Sequence, residues 1–215
     1  MRSMTNPTVD LDSVKRRLRA DYSKTRNDPS LRTLDGFILL LSHCQKDELI
    51  VRDLIQDAAN YIRRQFRFRW TMIGLKNRTD GLYRYEVMSG MREDAWAKQR
   101  LKVYKKEDFA LSGHYSAGEI SKLTRIYLEE ENPLVGQDTD LVNRPVLLRS
   151  KRAAEDEALE ADFTDTLIAG KNDELIGWIE YSGAITGKLP DAVSIRQIEV
   201  IAAIIGATIS SHSRH

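Results

Sequence analysis

Phe163-Thr164-Asp165-Thr166-Leu167-Ile168-Ala169, then Gly170-Lys171-Asn172-Asp173-Glu174, then Leu175-Ile176-Gly177-Trp178-Ile179-Glu180-Tyr181 is a pair of β-prone runs joined by turn formers, the signature of a hairpin. Past Pro190-Asp191, the stretch to Ser210 reads as a helix. Ser194 is placed to cap its orphan N–H groups, Gln197 sits three residues on to complete a capping box, and Val193 is spaced to staple onto Ile198. From Val200 to Ile209 the helix is apolar or small on every side, whereas a helix lying on one sheet keeps a polar face. One face therefore packs on a sheet, and the other needs the N-terminal helices or the same helix of a second chain.

Working back from this unit, the N-terminal part is helical. Leu11, Val14 and Leu18 recur at helical spacing among Lys15, Arg16, Arg17 and Arg19. Asn27-Asp28-Pro29-Ser30 breaks the pattern, and Leu31, Leu34, Ile38 and Leu41 resume it to about Ser42. A third helix runs from Asp47 to Gln65 on Ile50, Val51, Leu54, Ile55, Ala58 and Ile62. At Phe66 the period changes from 3.6 to 2, and a strand begins. Turn chemistry at Asn77 to Gly81 joins it to Leu82–Val87 in a second hairpin. Gly90 to Gly118 contains a short helix around Glu93 to Gln99 and is otherwise irregular. Leu123 to Leu128 is a further strand, Asn132 to Ser150 an extended loop, and Lys151 to Glu160 a short charged helix.

The order helix, hairpin, irregular excursion, strand, hairpin, closing helix resembles the GAF family of sensory domains. The likeness is carried best by Asp173-Glu174-Leu175-Ile176-Gly177-Trp178-Ile179-Glu180-Tyr181 and by Val193-Ser194-Ile195-Arg196-Gln197-Ile198-Glu199-Val200-Ile201-Ala202, and it spans roughly residues 46 to 210. It implies an α/β (α+β) fold: a central, mainly antiparallel sheet of about five to six strands flanked by helices. The expected organisation is an N-terminal helical extension over residues 1–45 and a GAF-like sensor domain over 46–215. Departures from the family narrow the function. Cys44, the one cysteine of 215 residues, lies before the third helix, outside the part that would form a bilin pocket, and a single thiol cannot run the family's cysteine-based sulfoxide reduction. The Asn-Lys, Phe and Asp-Glu pattern of its cyclic-nucleotide binders is absent.

Composition sets outer limits. Thirty-three basic residues against thirty-two acidic ones leave a formal charge of +1, so no global field holds the chain on nucleic acid or a membrane surface. The lone cysteine and the absence of an apolar h-region or an uninterrupted apolar stretch of about 18 residues point to a cytoplasmic setting without a membrane span. There is no P-loop, no Gly-x-Gly-x-x-Gly and no Gly-x-Ser-x-Gly elbow.

Several constellations have both a chemical and a plain reading. Arg63, Arg64, Arg67 and Arg69 interleave with Phe66, Phe68 and Trp70, a pattern that grips phosphates while stacking bases but equally describes a half-buried strand. His114 in a Gly-flanked segment is a candidate metal ligand, haem ligand or general base, yet it has no partner at ligand spacing. His43 and Cys44 diverge on a helix. The acidic group Glu155, Asp156, Glu157, Glu160, Asp162 and Asp165 reads as a solvated face, with no Asp-x-Asp-x-Asp-Gly loop to organise it.

What remains is a pocket on the sheet face covered by the irregular excursion, with Trp96, Tyr104, His114, Arg125, Tyr127 and Trp178 as its expected ligand-binding residues. No catalytic residue, metal site or cofactor is assigned. The expected function is a stand-alone small-molecule-sensing domain that signals through a homodimer of terminal helices or a separate output protein. Two alternatives stand beside it: a transcriptional regulator contacting DNA through Lys15, Arg16, Arg17 and Arg19, and a small enzyme working through His114.

Overall fold

The computed structural model describes residues 10–24, 28–110, 115–135, 139, 142, 144–148 and 151–212. Five helices appear among them: α1 (Leu11–Lys24), α2 (Pro29–Ser42), α3 (Val51–Gln65), α4 (Glu93–Gln99) and α5 (Ala192–His212). The strands are β1 (Phe68–Lys76), β2 (Tyr83–Ser89), β3 (Gly118–Glu119), β4 (Thr124–Tyr127), β5 (Phe163–Ala169) and β6 (Leu175–Ala184). They form one six-stranded sheet in the order β2-β1-β6-β5-β4-β3, with every neighbouring pair antiparallel. The fold class read from the sequence is the one observed, and both hairpins form where the turn residues place them.

The sheet divides the molecule into two layers. On one face α3 packs on β1 and β2, α5 packs on β5, and α2 packs against both helices. The core here joins Leu54, Ile55, Ala58 and Ile62 of α3 to Ile198, Ile201 and Ile205 of α5 over Ile73, Ile168, Ile179 and Tyr181 of the sheet. On the other face Trp70, Met72, Tyr83, Tyr85 and Trp178 meet Met91, Ala95 and Phe109 of the irregular excursion. Alternation along β6 makes the division: Ile179 and Tyr181 go to the helices, Trp178 to the opposite side.

Two bulges adjust that parity. Ile73 pairs with Val87 but Gly74 with Tyr85, which leaves Glu86 as the extra residue. Val87 thus faces the helices while Tyr85, two residues earlier, faces the other way. A second shift between Ile168 and Ala169 does the same in the last hairpin. Gly74 is opposite Trp178 in the ladder, and a Cβ there would lie 2.1 Å from the indole, so the missing side chain is what lets that ring lie over β1.

Three local expectations are corrected. Helix α3 begins at Val51, four residues later than Asp47. The cap of α5 is Asp191, whose Oδ1 accepts the Ser194 backbone N–H at 2.7 Å; Ser194 is already helical, and Val193 is 66% exposed and cannot staple onto buried Ile198. Aspartate is among the strongest N-caps, so the earlier residue captures the helix start. Lys151 to Glu160 is not a helix. Its carboxylates have specific partners instead: Glu160 accepts the Arg144 backbone N–H (2.8 Å) and Nε (2.9 Å), and Glu157 the backbone N–H of Ala153. Such side-chain bonds compete with the helical ladder.

By composition α5 is long and apolar enough to cross a bilayer. The burial of Ile198, Ile201 and Ile205 on the sheet makes it a core helix. Its closest approach to β5 is at Gly206, where a Cβ would sit 2.1 Å from the Ala169 carbonyl oxygen. In Gly206→Ala the forced displacement, about 1–3 kcal/mol for overpacking, exceeds or offsets the helix-propensity gain of about 1 kcal/mol. Urea denaturation is expected to show a net loss of up to about 2 kcal/mol for Gly206→Ala, and Gly187→Ala, in open space at φ +72, is expected to lose about 1–2 kcal/mol through backbone strain alone.

Candidate functional site

Between the sheet and the excursion lies a cavity of about 400 Å³. Its floor comes from alternate residues of the strands: Trp70 of β1, Tyr85 of β2, Tyr127 of β4, Phe163 and Asp165 of β5, and Trp178 and Glu180 of β6. Its cover is Gln99 at the end of α4, then Lys102, Tyr104 and Phe109, with Tyr115 and Glu160 closing the side. The backbone of Tyr104 exchanges hydrogen bonds with Tyr83 (2.8 and 2.9 Å), which ties the cover to the edge strand. On the far side Arg125 of β4 donates to the Phe109 carbonyl.

The walls are aromatic and mutually oriented. Trp178 lies 4.8 Å from Tyr85 and 5.4 Å from Tyr104 between ring centroids, and Tyr127 stacks on Phe163 at 4.4 Å with planes 8° apart. Tyr115 meets both members of that stack edge-on. Such edge and offset contacts fix the rings before any ligand enters.

Set among these rings are two acids. Asp165 and Glu180 are cross-strand partners of β5 and β6, both on the cavity wall and both buried. Tyr85 donates its phenol to Glu180 Oε2 at 2.5 Å. Burial pushes the Glu180 carboxyl up to about 7, against the opposing pull of the Tyr85 hydrogen bond and the Lys102 charge. Burial, and then the neighbouring Glu180, hold Asp165 well above the usual carboxylate range, with Arg125 acting the other way. Among the described residues, nothing hydrogen-bonds the buried Asp165 Oδ1 or Gln99 Oε1. Burial also raises the phenols of Tyr104 and Tyr127, which stay neutral.

The other carboxylates near the site are engaged. Arg144 pairs with Glu160 at 2.8 Å, and Arg152 bridges Asp162 (2.9 Å) and Glu130 (2.8 Å). These pairs fasten the loop around the cavity edge, with Asp162 also accepting the Glu129 and Leu159 backbone N–H groups. Among the described residues no three His, Cys, Asp or Glu side chains are placed to hold a metal ion. His43 faces Asp57 at 3.0 Å while Cys44 faces Thr208 at 2.8 Å, so this adjacent pair serves two separate contacts.

Of the residues singled out from sequence, Tyr104, Tyr127 and Trp178 line the cavity. Trp96 packs behind the wall, edge-on to Tyr85 at 6.4 Å. Arg125 is opposite Asp165 in the β4–β5 ladder but is not one of the lining residues. His114 lies outside the described residues. Asp165 and Glu180 were not expected on a wall; their signal is an acid at an inward position of a strand that is otherwise apolar or aromatic on that face.

No protein-family model and no curated protein matches the chain. Solved structures do. The phycoerythrobilin-bound GAF domain of a cyanobacterial phytochrome superposes with a TM-score of 0.58 at 12% identity, covering 86% of this chain and 100% of that one. The GAF domain/HD domain protein of Geobacter sulfurreducens gives 0.53 at 10% identity, over 77% of this chain and 94% of its own. The GAF domain of an Acinetobacter phosphoenolpyruvate-protein phosphotransferase gives 0.50 at 9%, over 84% and 93%. The chain has the fold of the GAF domains.

The raised acids have a measurable consequence. An acid whose folded-state pKa lies above its unfolded value binds more protons in the native chain between the two, so native stability falls as pH rises through that window and the loss is complete above it. For Glu180 the window runs from the ordinary glutamate value to about 7. Glu180→Gln, which keeps an acceptor for Tyr85, is expected to match wild type at the acid end of the window and to exceed it by on the order of 3 kcal/mol at pH 8 in urea denaturation.

Proposed function

We propose that this chain is a cytoplasmic sensory domain that binds a small molecule between the sheet and its cover and signals through α5 in a homodimer. The observation that carries the reading is the aromatic cavity with two buried acids on its wall. Its volume suits a metabolite of modest size. Solved structures of the same fold include one with phycoerythrobilin bound and others from multidomain proteins, which supports a sensor over a purely structural role.

A short polar route joins the cavity to α5. Asp165 faces the cavity, and its neighbour Thr166 faces the helices. Thr166 lies 3.1 Å from Thr124, whose hydroxyl donates to Glu199 of α5 at 3.0 Å, and Ser121 donates to the same carboxylate. Burial opposes the charge on Glu199, but hydrogen bonds from Ser121, Thr124 and Arg196 outweigh it and hold the carboxyl below its ordinary value. Displacement of β5 by a ligand therefore acts on a charge-assisted contact to α5.

The dimer reading rests on apolar stripes that the fold leaves uncovered. Val193 and Val200 of α5 are exposed, as are Leu34, Ile38 and Leu41 of α2 and Leu11, Leu18 and Tyr22 of α1. Leu34, Ile38 and Leu41 repeat at the three- and four-residue steps of a helix–helix seam. In contrast, the basic residues of α1 that suggested a DNA reader lie beside acids: Lys15 with Asp12, Arg16 with Asp10 and Arg17 with Asp21.

Two measurements test the proposal. Native mass spectrometry of freshly purified protein is expected to show a small-molecule adduct that is lost when Ala161→Phe fills the cavity; no adduct, together with an unchanged melting temperature across a library of polar metabolites, would overturn ligand sensing. Light scattering at high micromolar concentration is expected to give a dimer that Ile38→Glu with Val200→Glu converts to monomer. Monomer in the wild-type protein removes the dimer.

A further inference from the structure

We propose that the cavity takes a small organic cation, an ammonium or amidinium group on an apolar body, with the charged group seated between Asp165 and Glu180. The inference rests on the reading of the cavity as a ligand site and names the chemistry it selects.

Three observations lead to it. Among the described residues, the hydrogen-bonding atoms of the wall left without a partner are both acceptors, Asp165 Oδ1 and Gln99 Oε1, and both are buried. A buried acceptor without a donor is costly, and a ligand rich in N–H groups supplies what is missing. Asp165 is 7% exposed and shares the wall with Glu180, so one site presents two acids to one ligand group. The surrounding wall is aromatic, with Trp178, Tyr85 and Tyr104 in one group and the Tyr127–Phe163 stack in another. The face of such a ring attracts a desolvated cation and repels an anion.

The groups already present, Arg125 and Tyr127 beside Asp165 and Tyr85, Trp178 and Lys102 beside Glu180, offset the burial of the acids only in part. Arg125, across the ladder from Asp165, spends a donor on the Phe109 carbonyl, and Lys102 lies in the cover. Asp108 is turned to the Lys105 backbone N–H, and Glu160 is held by Arg144. The phenols of Tyr85, Tyr104 and Tyr127 contribute no charge. Both acids are shifted toward the protonated form, so with the cavity empty a proton occupies the place a ligand cation would take. A bound cation favours ionised acids and releases protons, which couples affinity to pH.

Isothermal titration calorimetry with benzamidine and phenethylamine, against the neutral benzamide and 2-phenylethanol and the anionic 3-phenylpropionate, tests the assignment. The cations are expected to bind at least tenfold tighter than their neutral counterparts, with Kd falling about tenfold from pH 6 to pH 8 for release of one proton from a group titrating near 7. Asp165→Asn and Glu180→Gln, checked for native circular dichroism, are expected to abolish that preference. Neutral or anionic probes binding as tightly as the cations would overturn the cation assignment and leave the ligand cavity standing. Failure of all five probes at millimolar concentration would count against both. A cation affinity that is flat with pH in wild type would remove the role of the acids without recourse to any variant.

Discussion

The parity of β6, the strand through the middle of the sheet, is the constraint on which the rest depends. Because successive residues point to opposite faces, one short sequence serves two environments: Ile179 and Tyr181 close the helical core, while Trp178 and Glu180 build the cavity. A slip of one register would bring Glu180 among the apolar side chains under α3 and α5 and expose Ile179 to the cavity. The neighbouring strands obey the same rule, which is why Asp165 faces Glu180 across the ladder while Thr166 beside it faces the helices. The bulges at Ile73 and Ile168 change that parity locally, so that Tyr85 and Val87 serve opposite layers.

This arrangement separates stability from recognition. The helical side holds the larger apolar core, in which each fully buried aliphatic side chain contributes roughly 1.5–3 kcal/mol. The cavity side includes two acids whose burial costs stability, one of them with an unpartnered oxygen. Polar groups buried at a cost are expected where a binding site needs them and the opposite core is strong enough to hold the fold. Gly74 has a similar role: it gives up a side chain in a central strand so that the Trp178 ring can lie over it and form the cavity floor.

The alternating and helical periods made most of the elements legible in sequence. Phe163 to Ala169 and Leu175 to Tyr181 alternate between turn signals, and α2 follows Leu31, Leu34, Ile38 and Leu41 to Ser42 as read. What escaped was decided by competition among side chains. Asp191 and Ser194 are both good caps, and only the three-dimensional start of α5 chooses between them. The acids of residues 155 to 162 look like a solvated helical face until Arg144 and Arg152 claim them. Asp165 was grouped with those acids because charge runs draw attention along the chain, whereas its position in a strand of known parity sets it apart. The aromatic residues Tyr127 and Trp178 lie on strands and Tyr104 in the excursion that covers them, whereas the rings of Phe68 and Tyr181 on the same sheet go to the helical core, so strand parity rather than aromatic character decides the face.

The same reasoning bears on how occupancy would be transmitted. A change on the cavity face moves a strand only if the strand is softer than its neighbours, and β4 is the soft member: four residues long, paired on its outer side only to the two-residue β3. Central β1 and β6 are long and flanked on both sides. Arg125 and Thr124 lie on this weak strand, the first opposite Asp165 and the second hydrogen-bonded to Glu199. A ligand that changes the charge at Asp165 would alter the field at Arg125, its partner across the ladder on β4, and any displacement of that strand would reach α5 through Thr124. The short β4 thus touches both the site, through Tyr127, and α5, through Thr124, while β1 and β6 are held by a strand on each side.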